Sequence, residues 1–437
     1  MLGQMDFTDS NRHQSRRSAT ARPLPDPHSL SDVKKPGRTV PGNRAAYLYA
    51  ARAFRDFGDG FVAVLLPVHL AAIGLGAFEI GVVATLALLG SALATLGIGM
   101  LGTRVDQRKL LIAASGAMIA TGLAFALSDT YALVLLIASV GTINPSSGSV
   151  SIFVPLEHAI LSRSTVDRLR TAIFARYSLI GALSAALGSL FAASTDLIEA
   201  LGISHLFALK AMFALYALLG VAGGLIYARL PSEIPAKTET QIALGPSRGV
   251  VYTLAALFSI DAFAGGFAVQ SLLALWLFSK FGMSLPAASL FFFGSGVLAA
   301  FSFPIAAWLA GRIGLVNTMV FTHIPSSLCL ILAAIAPNLE SALVLLLIRA
   351  ALSQMDVPTR SSYVMAVVTP PERPAAASVT SVPRSLASAA SPVIAGTLFA
   401  AGFPAAPLII CGILKISYDL ALLWMFRNVR PPEERES

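Results

Sequence analysis

Eleven Asp, Arg and Lys residues lie inside long apolar runs, away from the ends of those runs: Asp56, Asp59, Arg176, Lys210, Asp261, Arg349, Asp356, Arg360, Arg384, Lys415 and Asp419. In a bilayer each costs about 2.5–3.5 kcal/mol at mid-depth on insertion scales, more if unpaired and facing lipid. A chain that keeps them uses them to pair, to carry protons or to hold a polar solute. Six are basic and five acidic, a near-balance that points to pairing. The first run adds Arg52 and Arg55, and spacing of four sets Arg52 beside Asp56 and Arg55 beside Asp59. That end reads as a self-neutralised entry near the interface, with both arginines snorkelling and Asp59 set deeper. Asp261 has no charge within one turn, so it needs a partner from another helix or a proton. Arg349, Asp356 and Arg360 are spaced seven and four apart, which puts them on one face of an unbroken helix. An arginine there offers a two-pronged grip on a carboxylate or phosphate. Lys415 and Asp419, one turn apart, read as an internal pair.

The elements that carry these residues must be membrane helices. The chain has 437 residues, 56% hydrophobic and 12% charged, with a mean hydropathy of +0.74. Soluble proteins carry about twice that share of charge. Twelve apolar stretches, near 47–73, 79–101, 110–127, 131–154, 171–194, 205–228, 250–279, 286–311, 315–336, 341–368, 375–400 and 404–426, are long enough to span. They lack polar alternation and are too long for strands, so each is helical. The expected class is an all-α integral membrane protein. Its parts are a polar tail (1–45), a six-helix bundle (46–228), a polar linker (229–249), a second six-helix bundle (250–426) and a short tail (427–437).

Lys and Arg crowd one set of loops. The gaps after the second, fourth, sixth, eighth and tenth spans hold Arg104, Arg108, Lys109, Arg163, Arg168, Arg170, Arg229, Lys237, Arg248, Arg312 and Arg373, while the opposite gaps hold only Lys280. By the positive-inside rule both termini are cytoplasmic, with an even number of spans in the plasma (inner) membrane. The formal charge of +8 is mostly this topological signal, since residues 1–55 carry ten basic and four acidic residues. No nucleic-acid partner is implied. Cys329 and Cys411 lie in apolar runs and read as small hydrophobes, with no thiolate metal site.

The two halves repeat at an offset near 208 residues. Leu101-Gly-Thr-Arg104 matches Leu309-Ala-Gly-Arg312, Ala186-Leu-Gly-Ser-Leu-Phe-Ala192 matches Ile394-Ala-Gly-Thr-Leu-Phe-Ala400, and Arg176 falls on Arg384. Six plus six helices, a parallel repeat and a polar linker make the chain similar to major facilitator superfamily (MFS) transporters. Their segment after the second helix typically reads G-x-L-a-D-R-x-G-R-R. Here Gly99, Leu101, Arg104 and Arg108 fit, Thr103 replaces the acid, and Asp106 replaces a glycine. The fourth-helix arginine of drug/proton antiporters is Ala138 here, while the tenth helix has Arg349. The antiporter glycine-proline signature is blurred at Ala185-Ala186, and Ser391-Pro-Val-Ile-Ala-Gly396 in the eleventh helix is nearer to it.

The resemblance implies alternating access, with helices one, four, seven and ten lining a cavity. Asp59, Asp261, Arg349 and Asp356 are then the expected substrate or proton path. Gly99, Arg104, Asp106, Arg108, Arg176, Arg360 and Arg384 are the expected gating or structural set. The first functional reading is proton-coupled efflux of a drug or metabolite by a monomer without cofactor or metal. Uptake by symport of a small, anionic metabolite is the second, and a membrane sensor on a transporter body the third. No Walker A run, His-Glu-x-x-His or Gly-x-Ser-x-Gly occurs in the sequence, so neither ATP-driven pumping nor enzymatic chemistry is expected.

Overall fold

A computed structural model describes residues 42–101, 105–146, 151–163, 167–232, 244–369 and 372–427. The described residues form sixteen α-helices that make twelve crossings. The first three crossings are α1 (Gly42–Ala72), α2 (Ala77–Leu101) and α3 (Gln107–Leu127); the fourth is split into α4 (Tyr131–Ala138) and α5 (Phe153–Arg163). Next come α6 (Asp167–Phe191), a short α7 (Ser194–Ala200) in a loop, and α8 (His205–Tyr227). The second half runs through α9 (Arg248–Gly266) and α10 (Gln270–Phe281), which share the seventh crossing, α11 (Leu285–Ile313) and α12 (Leu315–Ala334). It ends with α13 (Leu339–Ser353) and α14 (Asp356–Val367), which share the tenth, then α15 (Arg373–Ala400) and α16 (Ala406–Phe426).

Nine segments among the described residues are long and apolar enough to cross a membrane on their own. The first, fourth and eleventh crossings fall short for physical reasons. Arg52, Arg55, Asp56 and Asp59 dilute α1, the fourth is interrupted, and α15 carries Arg384, Pro383, Pro392 and a run of serines.

The breaks follow local chemistry. At Gly265-Gly266 two poor helix formers end α9. At Gln354-Met355 the tenth crossing stops and restarts. Pro358 is then the third residue of α14, where no N–H is needed, so it starts a helix instead of kinking one. This corrects the reading of Arg349, Asp356 and Arg360 as one face. The break between Arg349 and Asp356 cancels their spacing of seven, while Asp356 and Arg360 keep their spacing of four.

Close packing rests on glycine. A Cβ at Gly60 would lie 2.0 Å from the Ala185 carbonyl oxygen, and one at Gly188 would lie 1.9 Å from the Phe57 oxygen. These two glycines let α1 and α6 meet backbone to backbone.

Among the described residues, the hydrogen bonds between the two halves lie toward one end of the bundle, opposite to the end bearing the first and last helical residues. There Val393 N–H donates to Thr85 Oγ1 at 2.9 Å, Ser271 N–H to the Pro145 oxygen at 3.0 Å, and Gln270 Nε2 to Ser189 Oγ at 3.1 Å. A Cβ at Gly81 would meet Gly396 Cα at 2.9 Å, and one at Gly296 would meet Ala186 Cβ at 2.9 Å. On the side of the helical termini, neighbouring turns of α6 and α15 are exposed, including Arg176 and Arg384. Among the described residues no hydrogen bond crosses between the halves on that side, so these residues leave the space between the halves open toward the termini.

Candidate functional site: two charge networks and an open seam

The first network ties together four crossings of the N-terminal half. From α1, Arg52 Nε lies 2.5 Å from Asp56 Oδ2, the pairing expected from spacing of four. Arg55 does not pair with Asp59. It turns to Asp56 at 3.3 Å and to Glu157 of α5 at 3.0 Å. Both arginines are buried, at 7% and 4% exposure, and so do not snorkel. Glu157 is fully buried and also accepts hydroxyl hydrogen bonds from Tyr177 of α6 and, at 2.6 Å, from Tyr227 of α8. Arg52 lies over the Tyr177 ring and Arg55 over Phe153. Two cations and two carboxylates balance, and the aromatic faces dress the guanidinium groups. Gly181 makes room, since a Cβ there would lie 2.5 Å from both Arg52 Nε and Asp56 Oδ2.

Asp59 stands apart, buried at 2% exposure. Its hydrogen-bond contact is the Tyr216 hydroxyl at 3.3 Å, whose single proton has the Thr142 carbonyl closer, at 2.8 Å. No cation lies within ion-pair distance of Asp59 among the described residues.

The second network fills the C-terminal half. Asp261 of α9 receives Arg360 of α14 at 3.1 Å and Lys415 of α16 at 2.6 Å. Arg360 also bonds Asp356, its neighbour one turn back. Lys415 reaches His323 Nε2 of α12 at 3.3 Å, and His323 Nδ1 lies 3.0 Å from both oxygens of Asp419. An ammonium can only donate, so Nε2 accepts and Nδ1–H donates to Asp419. Lys415 and Asp419 are thus joined through His323 and not to each other. With that neutral histidine, three carboxylates face two cations.

The remaining expected residues divide. Arg349 is half-buried, within Coulombic reach of Cys329 and Cys411, and its side chain has no hydrogen bond or ion pair among the described residues. Arg384 is exposed and feels the charges of Arg360, Asp261 and Asp356 without pairing with them. Arg176, its repeat mate, is likewise exposed. Asp106 caps α3 through the Arg108 N–H at 3.0 Å and accepts from Ser232 at 2.5 Å, tying the α2–α3 loop to the segment after α8. Gly99 falls in α2, and nothing beyond that is described for it; Arg104 lies outside the described residues.

Sequence reading missed Glu157, which lies beyond the fourth span as read there, 131–154. The signal was Asn144-Pro-Ser-Ser-Gly-Ser-Val-Ser151, a run of turn formers. Read as a break, it places Glu157 one turn inside a new helix. His69 is fully buried between Phe125 and Phe213, and neither ring nitrogen has a partner. No group of three or more His, Cys, Asp or Glu placed to hold a metal ion occurs among the described residues.

Comparison with known proteins gives a consistent picture. A family profile described as Major Facilitator Superfamily matches residues 48–260 and 254–437. An uncharacterised membrane protein of Saccharomyces cerevisiae, YJR124C, is 25% identical over 420 residues, covering 87% of this chain and 94% of that protein. Among solved structures, a bacterial homologue of the human lysosomal transporter Spinster, inward-facing and unoccupied, aligns with a TM-score of 0.67 at 14% identity, covering 90% of this chain and 98% of its own. The nucleoside transporter NupG aligns at 0.68 and 15% identity, covering 88% and 99%.

Proposed function

The chain belongs to the Major Facilitator Superfamily, and from that premise we propose that it is a monomeric, proton-coupled exporter of a small organic molecule. Membership carries the coarser statement by itself: secondary transport of a small molecule by alternating access. The observation that supports proton coupling is Asp59. It is a buried carboxyl that can change protonation without breaking an ion pair. Tyr216 spends its one proton on Thr142 at 2.8 Å, so its oxygen is left to accept from a protonated Asp59. Asp261 is less suited to this role, because a proton there would have to displace Lys415 and Arg360.

Both termini are read as cytoplasmic, in the plasma membrane, from the loop arginines. In that orientation the open seam between the halves faces the cytoplasm, the side from which an exporter loads. Ser391–Gly396, the antiporter-like stretch, lies where α15 meets α2 of the other half. Asp106 and Arg108 serve in this reading as the hinge of the α2–α3 loop, and Gly99 and Arg104 stay in the gating set on the strength of the motif alone. Uptake of an anionic metabolite is the second reading, favoured by Arg349 and its unspent guanidinium.

Transport into inside-out vesicles tests the proposal. Uptake that collapses when the proton gradient is dissipated supports coupled export. Uptake that ignores the gradient removes proton coupling, and uptake only into right-side-out vesicles reverses the direction.

A further inference from the structure

On α15, Ser381, Ser385, Ser388, Pro392 and Gly396 recur at spacings of four, three, four and four, which places them on one stripe of the helix. The upper part of the stripe is the contact with the other half, because Gly396 Cα and the Pro392 oxygen pack on Gly81. The lower part faces the same way, inward of the last contact, and therefore lines the open seam. Arg384 borders it, one turn from Ser388. A separate exposed face, Leu386, Ala390 and Ile394, is apolar and suits lipid.

Ser381 spends its hydroxyl on the Ser378 carbonyl at 3.3 Å, but the donors beside Arg384 are unspent. Hydroxyls elsewhere in these helices mostly return to their own backbone, as Ser115, Thr253, Ser259 and Thr380 do. Among the described residues the side chains of Ser385 and Ser388 make no hydrogen bond, and that of Arg384 makes neither a hydrogen bond nor an ion pair. The nearby carboxylates do not claim the arginine, because Asp261 and Asp356 are already held by Arg360 and Lys415. Arg360 repels Arg384 more than either Asp261 or Asp356 attracts it, and among the described residues all five of its N–H groups remain available.

We propose that Arg384, Ser385 and Ser388 form an oxyanion-binding site in the seam between the halves, taking the carboxylate or phosphate group of the transported molecule. The guanidinium makes the two-pronged contact and the hydroxyls donate to the remaining oxygens. This deepens the transport reading by naming a substrate class, and it rests on that reading for its physiological meaning. A bilayer phosphate entering between α15 and α2 offers the same chemistry as a soluble anion.

Thermal unfolding of the purified full-length protein tests it at constant ionic strength. The probes are acetate, succinate, inorganic phosphate and phenyl phosphate, against ethylamine and glycerol. A separate arm compares nanodiscs of phosphatidylcholine with nanodiscs containing phosphatidylglycerol. The site predicts stabilisation by at least one oxyanion and by neither control. Arg384→Gln should weaken that oxyanion's apparent affinity roughly tenfold or more, as loss of a charge-assisted pair does, and Arg384→Lys should restore part of it. Ser385→Ala/Ser388→Ala should weaken it less. The probe-free unfolding midpoint of Arg384→Gln should match wild type, which separates lost binding from lost folding. A shift confined to phosphatidylglycerol, and lost in Arg384→Gln, keeps the site and makes lipid its source. No shift with any oxyanion, or a shift that persists in Arg384→Gln, overturns the proposal. Should a neutral or cationic compound instead be transported, the anion site falls and the transport reading stands.

Discussion

Glu157 accepts from Arg55, Tyr177 and Tyr227 at once, so three crossings depend on one carboxylate. Glu157→Gln keeps the shape but removes the charge that Arg55 faces from α5. The expected loss is on the order of 3 kcal/mol, the lower end of what breaking a buried pair costs. The thermal midpoint in detergent should fall clearly, and Tyr227→Phe should lower it by less. Asp59→Asn should behave in the opposite way. No ion pair is broken, so the midpoint should hold while the dependence of transport on a pH gradient disappears. Unchanged gradient dependence in that variant would remove Asp59 from the proton path. At this scale the sequence was legible in part. Types and depths of charge could be read from it, and so could the Arg52–Asp56 pair. Cross-helix partners could not, because Asp261 meets Lys415 across 154 positions and nothing local records that distance.

Element by element, the run pattern and the Lys/Arg asymmetry were enough to lay out twelve crossings, because lipid leaves an apolar run of that length little choice but a helix. Three interruptions escaped that reading. Length and hydropathy count a crossing whether or not it is continuous, and Gly265-Gly266 or Gln354-Met355 changes neither number. Gly60 of α1 and Gly266 of α9 both sit at close helix contacts. A Cβ at Gly266 would lie 2.1 Å from Ser391 Oγ. Glycines in this fold therefore differ in kind. Gly188→Ala should sharply reduce the yield of folded protein, since its Cβ would meet the Phe57 carbonyl. Gly97→Ala should be neutral or stabilise by up to about 1 kcal/mol, because nothing lies within 4 Å of its Cβ. Size-exclusion profiles of the two variants side by side decide the point.

Across the whole molecule, contacts between the halves gather at one end, so their removal should shift the balance of states. Gly81→Val pushes against Gly396 and the Pro392 carbonyl and should pry that end apart. The seam at the other end should then close, and thiol labelling of Ser381→Cys should slow. Faster or unchanged labelling would contradict the rocking picture. The polar connection is anchored as well. Glu372 accepts from the Gly245 N–H, from Ser247 at 2.7 Å and from Thr369, and these hydrogen bonds hold its carboxyl below the usual glutamate range. A depressed acid stabilises the fold above its unfolded pKa and loses that contribution as pH falls through the folded value. Wild type should therefore lose stability on acidification faster than Glu372→Gln, with the two curves converging at low pH.

The first network also constrains how the protein is made. A translating chain offers α1 to the membrane with Arg52, Arg55, Asp56 and Asp59 aboard, while Glu157, Tyr177 and Tyr227 are still unsynthesised. Alone, that helix inserts poorly, at a cost of about 2.5–3.5 kcal/mol for each charge near its centre. The first segment of the chain is thus among the last to reach its final burial. Biogenesis must keep α1 at the translocon, or in a half-inserted state, until the fourth, fifth and sixth crossings arrive to receive its charges.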